Sequence, residues 1–134
     1  MDSSLNKPDQ IVETHNFVNT NLDLFENILN SLESVSAEAK SFLKEKVSSE
    51  GKVSNQLLEN HQHESHGYAW FETYRIALRE TLNWFKTLKK LDKSTKLESG
   101  ILIFSFAEYL CQMRSGIMMS QTEVIRPENL GISN

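Results

Sequence analysis

From Ile11 to Leu32 the apolar residues recur three and four positions apart: Ile11, Val18, Leu22, Phe25, Leu29 and Leu32, with His15 in the same stripe. That spacing lines one face of an α-helix, so a first helix is predicted over 9–34, beginning near Pro8-Asp9. Ser34-Val35-Ser36 interrupts the stripe. Ser36 suits a helix start because its hydroxyl can accept a first-turn amide, and Glu38 suits the positive helix end. A second, shorter helix is predicted over 36–49, with Ala39, Phe42, Leu43 and Val47 inward and Gly51 as its stop. The third, over 53–91, carries Val53, Leu57, Phe71, Tyr74, Leu78, Phe85 and Leu88. Its stripe turns polar at Asn60, His61, Glu64 and Gly67. Asp92-Lys93-Ser94 reads as a tight turn, and a fourth helix follows over 95–120. From Ile101 to Ala107 that helix is apolar on nearly every side, the pattern of a central, buried helix. Phe104 is therefore expected in the core, where truncation to alanine costs about 3–5 kcal/mol. Residues 121–134, with Arg126-Pro127-Glu128-Asn129-Leu130-Gly131, read as an extended tail.

The only prolines are Pro8 and Pro127, so nothing between them forces a helix to break. No strand pattern competes. Helical segments joined by short connections pack most simply as antiparallel neighbours. The expected fold is all-α: an antiparallel bundle of about four helices with a C-terminal tail, in a single domain over 1–134.

Composition narrows the function. With 39% hydrophobic and 24% charged residues the chain is globular. The net charge of -4 is spread among interspersed acids and bases. No basic block is present to neutralise a row of phosphates, so nucleic acid is not the expected partner. The most apolar stretch, Ile101 to Leu110, is too short for a bilayer and is broken by Ser105 and Glu108, so no membrane is expected either. A single cysteine, Cys111, excludes an intrachain disulfide and points to a reducing, cytoplasmic setting. The start, Met1 to Lys7, shows no apolar leader.

Candidate chemistry is sparse. His61-Gln62-His63-Glu64-Ser65-His66 gathers three histidines. On a helix His63 and His66 share a face while His61 lies well round from both. Neither a His-x-x-x-His pair nor the Glu-x-x-His pair of di-iron bundles occurs. His63 and His66 are thus weak metal candidates, and no bound metal is expected. Glu108, inside an apolar helix, is a weak candidate for a buried general base. Pairing with Arg75, Arg79 or Arg114 is the stronger expectation. Cys111 reads as a small core residue. Tyr68, Trp70, Phe71, Tyr74, Trp84 and Phe85 fall at helical spacing and read as core first, interface second. Met113, Met118 and Met119 suit either a core or a contact surface. The five glycines are scattered and form no phosphate-cradling loop, so no cofactor is expected.

His66-Gly67-Tyr68-Ala69-Trp70-Phe71-Glu72-Thr73-Tyr74, then Leu78-Arg79 and Trp84, resemble the helical N-terminal extension of flavin-dependent acyl-CoA dehydrogenases of the methylsuccinyl-CoA dehydrogenase branch. The resemblance continues through Phe106-Ala107-Glu108-Tyr109-Leu110-Cys111-Gln112. It is best at Gly116-Ile117-Met118-Met119-Ser120-Gln121-Thr122-Glu123-Val124-Ile125-Arg126-Pro127, where Met118 and Thr122 replace a proline and a glycine of the family pattern. It covers about residues 61 to 131, and nothing similar is found for the first sixty. The resemblance implies an accessory segment that precedes a catalytic core. That core bears the flavin, the acyl-CoA and the catalytic glutamate, so Glu108 is not that base.

The expected function is a non-enzymatic helical interaction or assembly domain. Its partner is expected to be a second copy, packed through the third and fourth helices as a homodimer, or a separate dehydrogenase core. Met118, Met119, Arg126 and Pro127 are the contact residues expected. The alternative is a metal or small-molecule sensor built on His61–His66 and the aromatic cluster. A third possibility is an enzyme using Glu108 as base.

Overall fold

The computed structural model describes residues 7–133. The expectations for Met1–Asn6 and for the side chain of Ile11 lie outside the described residues. In chain order the elements are α1 (Lys7–Thr20), α2 (Leu22–Val47), β1 (Ser48–Ser49), β2 (Lys52–Val53), α3 (Asn55–Asn60), α4 (Gln62–Lys90), α5 (Lys96–Ser115), β3 (Ile117–Met118), β4 (Val124–Ile125) and a final 3₁₀ turn, Pro127–Leu130. The all-α bundle is as expected, and the two antiparallel strand pairs are minimal.

Polar pairs show how α2 and α4 run. Glu26 pairs with Lys86, Glu33 with Arg79 and Arg75, and Ser36 with Glu72. Numbers rise on one helix as they fall on the other, so the two are antiparallel. α5 packs on α4, and α1 packs on α5. The first core cluster joins these helices through Val18, Phe25, Leu29, Leu78, Leu82, Phe85, Leu102 and Phe106. Phe25 and Phe106 meet edge to face with centroids 4.9 Å apart, the arrangement favoured by ring quadrupoles. The second cluster, built on Ala39, Phe71, Met113, Ile117, Met119, Ile125 and Leu130, lies where the C-terminal segment meets the bundle.

Several expected boundaries are corrected. The break at 34–36 is absent, because α2 continues through it. Serine costs only a few tenths of a kcal/mol in a helix, and these serines have partners. Ser34 donates to the Asn30 carbonyl, and buried Ser36 donates to Glu72 Oε1 at 2.5 Å. The break falls instead at Asn21, whose side-chain amide donates to the Phe17 carbonyl at 2.8 Å. The expected 53–91 helix divides at His61 into α3 and α4. Gly51 does not stop a helix; with Glu50 it turns the β1–β2 hairpin, both residues at positive φ. The fourth helix ends at Ser115 rather than 120, because Gly116 takes a positive φ of 141°.

Among the described residues, the expected extended tail over 121–134 is not found. The segment after α5 folds back as β3 and β4, burying Ile117, Met119, Ile125 and Leu130. Gly67 makes this possible: a Cβ there would lie 2.3 Å from Ile125 Cγ1.

Candidate functional site

α5 is where the apolar pattern exceeds what the core uses. The helix starts cleanly, with Thr95 and Glu98 forming a reciprocal capping box. One face carries Ser99, Leu102, Phe106 and Met113 into the bundle. Another carries Leu97, Ile101 and Phe104 outward, at 67%, 43% and 75% exposure. Ile101–Ala107 is therefore not buried all round, and Phe104 is a surface residue. Neighbouring helices cover only one side of α5. The same outward face continues through Glu108 and Cys111, both exposed. A shallow apolar groove of about 450 Å³ lies between Lys96, Leu97, Gly100, Ile101 and Phe104, with Thr14 of α1 at its rim.

Glu108 is accordingly not a buried base. It lies on the surface and accepts a hydrogen bond from Gln112 Nε2 at 2.6 Å. None of the three arginines pairs with it: Arg75 and Arg79 are taken by Glu33, and Arg75 also by Glu72. The arginine-held carboxylate is Glu72. Hydrogen bonds from Arg75 hold it below the usual glutamate range; partial burial opposes this and the Ser36 hydroxyl assists. Cys111 is exposed rather than core.

The histidine turn is placed at the α3–α4 junction. His61 Nδ1 lies 3.4 Å from Glu64 Oε1. His66 Nε2 accepts from the Trp70 indole at 3.0 Å, while His63 is exposed. His63 and His66 border an open groove of about 570 Å³ beside Glu59 and Glu123. Among the described residues no three His, Cys, Asp or Glu side chains are grouped to hold a metal ion.

The aromatic set splits. Phe71 and Phe85 are buried, Tyr68, Trp70 and Tyr74 are partly buried, and Trp84 is exposed. Tyr74 stacks on Tyr109 of α5 with centroids 4.3 Å apart and donates to Gln112 Oε1 at 2.7 Å. Burial and the nearby Tyr109 and Glu108 push its hydroxyl above the usual tyrosine range. Of the expected contact residues, Met118 and Arg126 are exposed, Pro127 is partly buried, and Met119 is in the core.

Over 111 residues, 83% of its length, the chain is 40% identical to a (2S)-methylsuccinyl-CoA dehydrogenase of Cereibacter sphaeroides. The chain is thus similar to part of a methylsuccinyl-CoA dehydrogenase. It spans about a fifth of that enzyme's length. No protein-family model matches it. The likeness is longer than the stretch from 61 to 131, so it reaches into the first sixty residues, contrary to expectation.

Part of the stretch that carries the dehydrogenase resemblance meets in one place. Gly67, Tyr68 and Phe71 of α4 pack with Met113 of α5 and with Ile117 and Ile125 of the C-terminal pair. That part of the motif serves packing.

No described helix is long and apolar enough to cross a membrane. Sequence reasoning missed the outward face of α5. The signal was present: Leu97, Ile101 and Phe104 are spaced four and three apart on a line distinct from Ser99, Leu102 and Phe106.

Proposed function

We propose that the chain is a non-catalytic helical assembly module, the counterpart of an accessory segment in acyl-CoA dehydrogenases. It acts by presenting a packed surface to another protein. The observation that supports this is the outward face of α5, where three large apolar side chains adjoin one groove. Clustered apolar exposure of this kind marks an interface, whereas single exposed hydrophobes do not. The described carboxylates and histidines do not converge on a reaction. Glu72 is neutralised by Arg75, Glu108 is solvated beside Gln112, and His66 is engaged by Trp70.

Two occupants fit the face: a second copy, or the remainder of a dehydrogenase supplied by another chain. Met118 and Arg126, exposed at the far end of α5, offer a secondary contact for the larger partner. Hydroxyl-radical footprinting tests the reading. Oxidation of Phe104 should fall severalfold when the chain is concentrated, or when a methylsuccinyl-CoA dehydrogenase core is added. Unchanged oxidation of Phe104 under both conditions overturns it.

A further inference from the structure

Leu97, Ile101, Phe104, Glu108 and Cys111 repeat at four, three, four and three residues along the exposed side of α5. That is the spacing of a two-helix seam. Such a seam works by knobs entering holes, each hole made of four residues at i, i+3, i+4 and i+7 on the facing helix. Leu97, Gly100, Ile101 and Phe104 form one such set, and these four line the groove. Gly100 is what keeps the hole open: a Cβ there would meet nothing within 4 Å. The side chain suited to fill it is large, apolar and held out from a helix, as Phe104 itself is at 75% exposure.

We propose that the occupant of this face is a second copy of the chain, with the two α5 helices antiparallel across a two-fold axis that passes between Ile101 and Phe104. This rests on the assembly reading above and names its partner. A two-fold contact must be self-complementary, each patch serving as both sides. Placing Phe104 of one copy over the Leu97–Gly100–Ile101–Phe104 hole of the other fixes the register, with no freedom left. In that register Leu97 meets the set Phe104, Ala107, Glu108 and Cys111, where Ala107 is again the small corner. Glu108 then comes opposite Lys96, which edges the groove. This charge match is independent of the Phe104 contact that sets the register, and it appears twice by symmetry. The seam from Leu97 to Cys111 is about 21 Å long, short enough that the association is reversible.

Light scattering or sedimentation across the micromolar range should give a dimer mass that falls to the monomer on dilution. Phe104→Asp should leave the circular dichroism spectrum unchanged and give a monomer throughout. Lys96→Glu and Glu108→Lys should each weaken the dimer by about three- to tenfold, two exposed ion pairs being lost. Mixing the two variants should restore association, because each then faces the opposite charge. A wild-type monomer at all these concentrations overturns the proposal. So does a dimer that survives Phe104→Asp, or a mixture that associates no better than either variant alone. If the wild type is a monomer but Phe104 becomes protected on adding a dehydrogenase core, the second copy is wrong and the assembly function stands.

Discussion

Helices α4 and α5 pack on each other, yet they use their apolar residues differently. α4 sends Phe71, Leu78, Leu82 and Phe85 inward and surrounds them with Glu72, Arg75, Arg79 and Lys86. Ile76 and Trp84 are also exposed on α4, but Glu80 lies between them. α5 buries Leu102, Phe106 and Met113 and shows Leu97, Ile101 and Phe104 to solvent. The contrast shows what apolar periodicity reports. It counts the partners a helix has been given sequence for, including any that belong to another molecule.

The strongest way to break this contrast is to empty one site on each helix. Phe85→Ala should cost about 3–5 kcal/mol, since Phe85 is fully buried. Phe104→Ala, measured by denaturant melts in dilute protein where the chain is monomeric, should cost no more than about 0.5 kcal/mol. Similar losses at the two sites would mean that α5 has no free face. Next in size is Gly67→Ala, which drives a methyl group into Ile125 and should cost about 1–3 kcal/mol through overpacking. A neutral result would show that the C-terminal segment is held loosely.

Glu72→Gln probes the polar margin of α4. It replaces a charged acceptor for Arg75 and Ser36 by a neutral one, and should cost about 1 kcal/mol given its partial exposure. The sign with pH follows from its lowered folded-state pKa. The stabilisation is fully present above the ordinary glutamate range and is lost as pH falls through the folded value. The difference between wild type and Glu72→Gln should therefore shrink in acid; a difference that grows would contradict the pairing.

A small effect of the opposite sign is expected at Gly100. Gly100→Ala removes the backbone freedom of a helical glycine in open space, and should stabilise the monomer by about 0.5–1 kcal/mol. The same methyl group narrows the hole on α5 and should weaken association. Opposite signs in thermal melts and in sedimentation would sharpen the comparison; equal signs would detach the groove from self-association.

Much of the fold could be read from spacing, because amphipathic faces leave a period of three to four residues. The positions of α4 and of the start of α5 followed from it. The breaks did not. Ser36 resembles a cap in isolation, and only its distant partner Glu72 makes it an interior residue. Asn21 gave no stronger local signal than its neighbours. The C-terminal segment looked extended because Pro127 cannot continue a regular helix, while the space reserved for Ile125 lies at Gly67, far back in the chain. For the candidate site, the apolar surplus on α5 was visible as composition. Its two stripes were also visible as spacing, but which of them faces outward required knowing that α1 and α4 cover one side.

The seat of α1 has a consequence for the order of events during synthesis. His15 of α1 lies 2.7 Å from the buried hydroxyl of Ser99 on α5, 84 residues later in the chain. Val18, fully buried, belongs to the same cluster as Leu102 and Phe106. A chain leaving the ribosome produces α2, α3 and α4 before that seat exists. The polar pairs between α2 and α4 can form once both have emerged, while their shared core is completed by α5. α1 must wait for α5, with the apolar side of Val18 uncovered in the meantime. The earliest helix of the described chain thus takes much of its seat on a helix made 84 residues later, and closing that loop carries an entropic cost.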